Sequence, residues 1–159
     1  MELFMVRHAV AVPERPDLPD EARPLTPDGR RRFQRAVRGM EKLGLSFDHL
    51  YHSPWLRAVE TAELLTRLVR PDGETVVEPG LTRAPDAEFL ASLRGDRVAA
   101  VGHEPWLSEM VAILMCGARR YGSRFDFRKG GLAWLEGDLR PRRMWLRAFL
   151  PPRVLRRIG

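Results

Sequence analysis

The chain has 159 residues, 44% of them hydrophobic, a formal charge of +6 and a single cysteine, Cys116. That length and apolar content fit one domain spanning residues 1–159 with a core of its own, and they exclude wholesale disorder. A lone cysteine excludes an intrachain disulfide, a zinc ribbon and a redox CxxC pair, and the longest apolar run, Met110 to Cys116, falls far short of the roughly 20 residues that span a bilayer.

Glu2 to Arg7 (ELFMVR) is short and apolar, the pattern of a buried strand, and it ends at His8. The start MELFMV lacks the basic and long apolar regions of a secretion signal, so a cytoplasmic protein with no membrane partner is expected. Pro13, Pro16, Pro19 and Pro24 exclude a helix and predict a long loop. Thr26-Pro27-Asp28 is a helix start, with Thr as N-cap and Pro in the first turn; Gly44 is placed to end that helix, and Phe33, Val37, Met40 and Leu43 or Gly44 form its apolar stripe. Asp48 to His52 reads as a second strand. Ser53-Pro54 repeats the cap-plus-proline signature and predicts a helix to about Val69, with Leu64, Leu65 and Leu68 inward. Thr75 to Val77 reads as a short strand and Pro85 to Leu93 as a short helix. Arg97 to Gly102 (RVAAVG) is a buried strand running into His103, and Glu104 or Pro105 opens a helix to Met115. Gly131 to Glu136 and Arg142 to Phe149 alternate around Gly137-Asp138, a hairpin signal. Strands alternating with helices imply an α/β sheet, mainly parallel, with an antiparallel addition near the C-terminus.

The charge is uneven. Only Lys42 and Lys129 are lysines, so 25 cations are arginines; asparagine is absent and Gln34 is the only glutamine, which fits a thermophile's loss of thermolabile amides. Residues 119–159 hold 12 cations and 3 acids, a balance of +9, while residues 1–118 sum to −3. A basic C-terminal third is compatible with anionic partners or with a plain solvated surface. No helix-turn-helix, zinc-finger or RNP pattern accompanies it, so a polyanion-binding module is a distant alternative and no nucleic-acid partner is expected.

Three cues share one geometry: Arg7-His8, the turn from Ser53 to Arg57, and Gly102-His103 each follow a strand end. Carboxyl ends of strands form the ligand crevice of open α/β sheets, so His8, Arg57 and His103 are expected to converge there. Two imidazoles and two guanidiniums in one crevice suit a dianionic phosphoryl group.

Val6-Arg7-His8-Ala9, Arg23-Pro24-Leu25-Thr26 with Gly29, Ser53-Pro54-Trp55-Leu56-Arg57-Ala58 with Thr61-Ala62, and Val101-Gly102-His103-Glu104-Pro105 resemble, in order, four motif blocks of the histidine phosphatase (phosphoglycerate mutase-like) superfamily. Together they resemble the short SixA-type phosphohistidine phosphatases more than the mutases. The resemblance implies a three-layer α/β/α fold on a mainly parallel mixed sheet, without the inserted lid subdomain, since Arg57 and His103 are only 46 residues apart. It further implies His8 as nucleophile, with Arg7, Arg57, His103 and Arg23 on the phosphoryl oxygens, and no metal or cofactor. Two departures are visible: Ala9 and Glu60 stand where the family commonly has glycine and glutamine; Ala9 would be strained if its φ were positive, and Glu60 is expected on the helix surface. The family's usual acid position, Leu81-Thr82-Arg83, supplies no carboxylate, which leaves Asp20 and Glu104, then Asp17 and Glu21, as candidate general acids. A missing acid suits a labile P–N bond, so a phosphorylated protein of the histidine-phosphotransfer type is the expected substrate, with a small sugar, nucleotide or acyl phosphate as the alternative.

Other features read more plainly. His49 and His52 have an odd offset that sends them to opposite faces of a strand, against a zinc site. Cys116 is expected as a small buried hydrophobe, Trp55 and Trp106 as packing or as the rim of the crevice, and Lys129-Gly130-Gly131 as a turn into the hairpin.

Overall fold

Leu3, Phe4, Met5 and Val6 have no exposed surface, and a strand apolar on both faces must be covered on both. In the computed structural model, which describes residues 1–159, this strand, β1 (Glu2–Arg7), lies inside a six-stranded sheet of order β3-β2-β4-β1-β5-β6. The others are β2 (Phe47–His52), β3 (Val69–Val77), β4 (Arg97–Gly102), β5 (Leu132–Gly137) and β6 (Met144–Leu150). The first four strands are mutually parallel; β5 runs antiparallel to β1, and β6 to β5. Helices α1 (Pro27–Lys42), α2 (Leu56–Leu65) and α5 (Pro152–Ile158) cover one face; α3 (Ala87–Ser92) and α4 (Trp106–Cys116) cover the other. Phe4 and Val6 point into the first layer, Leu3 and Met5 into the second, as the two-residue strand period requires. This is the expected three-layer α/β/α architecture on a mixed, mainly parallel sheet, with no lid subdomain between α2 and β4.

Local chemistry sets the element ends. Thr26 Oγ1 accepts the Gly29 N–H at 2.9 Å, a cap worth about 1 kcal/mol, and Gly44 closes the same helix at φ 73°. Phe33, Val37 and Met40 are buried, with Ala36 and Gly39 beside them, but the stripe stops there: Leu43 is 45% exposed and Gly44 is exposed too.

Several expectations are corrected. β3 has nine residues rather than three; it is a polar edge strand interrupted by Pro71 and Gly73, with an irregular register against β2, so it lacks the apolar signal of a central strand. α2 starts at Leu56, not at Ser53-Pro54, and ends at Leu65 before a 3-10 turn, Thr66–Leu68. α5 gave no signal because only Leu155 of its seven residues is buried. Cys116 is exposed, because left-handed Gly117 ends α4 just after it and the inward row stops at Leu114. Ala9 has no positive φ, so it stands in the glycine position without strain. No helix is long and apolar enough to cross a membrane.

Candidate active site

β2, β4 and β1 are neighbours in the sheet and parallel, with His52 opposite Val101 and Arg7 opposite Gly102. Their carboxyl ends therefore lie side by side, and the next residue of each chain segment is Ser53, His103 or His8. Topology alone brings these three together. A cleft of about 580 Å³ opens over this edge, lined by Arg7, His8, Asp20, Arg23, Arg57 and His103, and further by Glu104, Trp55, Trp106 and Lys129. Arg7, His8, Arg23, Arg57 and His103, expected in the site from sequence, line this cleft with the candidate acids Asp20 and Glu104; the further acid candidates Asp17 and Glu21 do not. Lys129 was not anticipated there, nor were the supporting contacts that Ser53, Thr61 and Ser108 make behind the lining residues.

His8 is 5% exposed and its ring is oriented by its own neighbour. Nδ1 lies 2.7 Å from the Ala9 carbonyl, which can only accept, so Nδ1 carries the proton and Nε2 keeps its lone pair, with no protein partner. The backbone here is braced from three sides. The His8 N–H donates to Gly102 O at 3.1 Å, and the Gly130 N–H donates to both Arg7 O and His8 O at 3.0 and 3.1 Å. The Ala9 N–H donates to Thr61 Oγ1 at 3.0 Å, while that hydroxyl donates to Arg57 O at 2.6 Å. Thr61 thus locks the strand end bearing His8 to the helix bearing Arg57. Gly130 N–H, engaged in this way, belongs to a turn and not to an anion cradle; Lys129 beside it nevertheless lines the cleft.

His103 packs 5.1 Å from His8, centroid to centroid, and 4.5 Å from the Trp55 ring. Ser53 Oγ accepts the Trp55 N–H at 3.2 Å and lies 2.8 Å from His103 Nε2, so its own proton has that nitrogen as acceptor. In a neutral ring Nδ1 then bears the proton, and it is buried with no partner. Arg7 Nε and Arg57 Nε are likewise buried without a hydrogen bond. Three donors on side chains that line the cleft therefore lack a partner within the protein, and the guanidiniums and imidazoles around it make it a cationic cleft.

The carboxylates divide into two environments. Asp20 bridges two guanidiniums: Arg57 Nη2 donates to Oδ2 at 2.9 Å and Arg23 Nε to Oδ1 at 2.7 Å. Burial works to raise its pKa, but the Arg57 and Arg23 bonds and charges outweigh it and hold it below the usual range. Glu104 behaves oppositely. Burial pushes it up, against the bonds from Ser108 and the charge of Arg7. Its Oε1 accepts the Ser108 N–H at 3.1 Å, and its Oε2 touches the Ser108 hydroxyl, which also lies 3.1 Å from Phe125 O. One hydroxyl proton cannot serve two acceptors; a protonated Glu104 donating to Ser108, which donates to Phe125 O, satisfies the whole chain. Glu60, expected on the helix surface, instead accepts the Leu25 N–H and pairs with Arg30 at 2.7 Å, tying the loop after Arg23 to α2.

The imidazoles are kept neutral. Burial drives His8 down to about 2, opposed by the Ala9 bond and aided by His103, Arg57 and Arg7. Burial and the Arg57, Arg7 and Arg23 charges drive His103 down to about 3, opposed by Asp20. The sign follows: the unfolded chain takes up these protons near pH 6.5 and the folded one does not, so stability from both groups is complete above pH 6.5 and declines below it. Ring ¹⁵N shifts of His8 and His103 are expected to stay constant from pH 8 to pH 4.5 while Tm falls over the lower half of that range. A His8 midpoint above pH 6 would contradict a ring kept neutral. His49 and His52 stand apart from the cleft; His52 Nδ1 is 3.0 Å from Ser53 O and His49 lies 4.0 Å from Glu74.

A family model, Histidine phosphatase superfamily (branch 1), matches residues 3–82, a range holding Arg7, His8, Arg23 and Arg57. A protein of Picosynechococcus sp. is 30% identical over 142 residues, 86% of this chain and 85% of that one, a span that extends past the family match. Among solved structures, the protein histidine phosphatase SixA complexed with tungstate aligns with TM-score 0.78 at 22% identity over 96% of this chain and 97% of that one. A phosphoserine phosphatase from Entamoeba histolytica, solved with 3-phosphoglyceric acid, gives 0.70 at 15% identity, covering 97% and 98%. The alpha-ribazole phosphatase from Shigella flexneri gives 0.73 at 17%, covering 96% and 97%. With half the chain matched by the family model and the fold shared from end to end, the chain belongs to branch 1 of the histidine phosphatase superfamily.

Proposed function

We propose that residues 1–159 form one phosphatase domain that hydrolyses phosphoryl groups through a phosphohistidine on His8, with a protein phosphohistidine as preferred substrate. The observation that carries this is an unprotonated Nε2 on His8 in a cleft whose lining places Arg7, Arg57 and His103 around it. Nε2 attacks phosphorus in line; its lone pair forms the N–P bond as the bond to the leaving group breaks. Water then attacks the phosphohistidine, the electron pair returns to Nε2 and inorganic phosphate departs. Arg7, Arg57 and His103 take the equatorial oxygens, and preorganised donors of this kind are worth about 3–4 kcal/mol each. Cationic side chains neutralise the transferring group, so the scheme calls for no metal. Arg23 acts through Asp20, holding the carboxylate that positions Arg57.

The substrate preference follows from the leaving group and the opening. Glu104, the one cleft carboxyl pushed toward its neutral form, is the candidate proton donor, while Asp20, held ionised between two guanidiniums, is suited to positioning. Imidazole leaves readily once protonated, and no subdomain closes over the cleft, so a folded phosphoprotein can present its side chain. The likeness to SixA supports a protein substrate; the likeness to phosphoserine and alpha-ribazole phosphatases supports the small-molecule alternative. The test is a panel: a phosphorylated histidine-phosphotransfer domain against sugar, nucleotide, acyl and alkyl phosphates. The phosphodomain is expected to show the highest kcat/KM, by about 100-fold over alkyl esters; equal values would leave the chain a general phosphomonoesterase.

A further inference from the structure

A second recess, of about 390 Å³, shares Arg7 and Lys129 with the catalytic cleft and extends from there between α1 and α5. Its floor is apolar, made by Ala9, Val10, Phe33, Ala36 and Pro152. Around that floor stand Arg7, Arg32, Arg128, Lys129 and Arg156, with no carboxylate among the 12 lining residues. Asp28 and Asp126 pair with Arg32 and Arg128 from outside, each at 2.6 Å, but Lys129 and Arg156 have no ion-pair partner. Lys129 is also pushed down by burial and by the charges of Arg7, Arg23 and Arg57, a sign that positive charge here is not balanced by the protein itself.

We propose that this recess docks acidic side chains of the phosphoprotein substrate while the adjoining cleft holds its phosphoryl group. The inference rests on the phosphatase reading above and gives its protein substrate a recognisable feature: carboxylates beside the phosphorylated residue. Three of the five cations come from the basic C-terminal third, so that charge has a specific address. A peptide fits better than a nucleic acid, because a walled recess with an apolar floor accepts the methylene stems of Glu and a neighbouring apolar side chain. A phosphodiester ribbon would leave that floor uncovered.

Fluorescence anisotropy with labelled, unphosphorylated Glu-rich and Lys-rich peptides tests this without turnover. The wild type is expected to prefer the Glu-rich peptide. An Arg32→Glu, Arg156→Glu double variant should weaken that binding by about tenfold or more and gain affinity for the Lys-rich peptide. Neither residue lines the catalytic cleft, so turnover of p-nitrophenyl phosphate should be unchanged, which also reports an intact fold. A control reversal in the same basic third, Arg119→Glu with Arg120→Glu, should change Kd less than twofold. Equal weakening by the control means diffuse charge attraction and overturns the site, as does an unchanged Kd in the double variant or tighter binding of a duplex oligonucleotide. Failure of the underlying phosphatase reading would appear separately, as turnover surviving in His8→Ala.

Discussion

His8→Ala is expected to abolish turnover of every substrate, with kcat falling on the order of 10⁴-fold or more, because no other side chain takes over the covalent step. The geometry excludes a nearby substitute. His103, the only other imidazole in the cleft, has Nε2 engaged with Ser53 and its remaining nitrogen buried, so it can donate but offers no free lone pair. Substrate binding should survive, since Arg7 and Arg57 remain; the loss belongs in kcat rather than KM. Stability should change little in the harmful direction near neutral pH and improve below it, because the substitution removes an imidazole that the fold forces to stay neutral. Acid-sensitive, alkali-stable label trapped from phosphorylated substrate should map to His8 in the wild type and vanish in the variant. Retained turnover, or label on another residue, would remove the proposed mechanism whatever the substrate.

How much of this was legible in the sequence depended on whether a residue's role was local or relational. Arg7-His8 and Gly102-His103 were readable because apolar runs announce buried strands, and their ends fall in a crevice in any parallel sheet. The order β2-β4-β1 sets those ends side by side, while Arg57, Asp20 and Arg23 reach the site from α2 and the segment before α1. Thr61 and Ser53 could be quoted as motif letters, but their work depends on distances: Thr61 binds an N–H 52 residues away, and Ser53 meets a ring 50 residues away. Glu60 looked like surface because its helix position is outward; a loop folded back onto it. The weakest elements to read were those that bury least, β3 and α5, since hydrophobic period is the signal and an edge strand or a short terminal helix scarcely has one. Net charge was ambiguous. Composition left the basic third open between anionic partners and a solvated surface; the fold brings its Lys129 to the cleft, and with Arg128 and Arg156 it borders the neighbouring recess.

Glu104→Gln should separate substrates by their leaving groups. With an alkyl phosphate the departing alkoxide has a conjugate acid near the pKa of water, roughly 15.7, and must be protonated as it leaves, so losing the acid is expected to cost about 10²–10³-fold in kcat/KM. With phosphohistidine the leaving group is an imidazole whose conjugate acid titrates near 6.5, solvent can supply the proton, and the loss should stay within about fivefold. Glutamine keeps an acceptor for the Ser108 N–H and fills the same volume, so packing between β4 and α4 persists. The pH profile provides a second readout. Glu104 must be protonated to act, and burial moves its titration upward, so wild-type activity on alkyl esters should fall as pH rises through that raised pKa, a limb missing from the variant. Stability changes in the same window and with the opposite benefit: the folded chain loses stability as the buried carboxyl ionises, so Glu104→Gln should be at least as stable as wild type at pH 8. A merely structural Glu104 would depress both substrates alike and leave the alkaline limb in place. That result would return the search for an acid to Asp20, whose carboxylate could be freed only if a bound phosphoryl group drew Arg57 away from it.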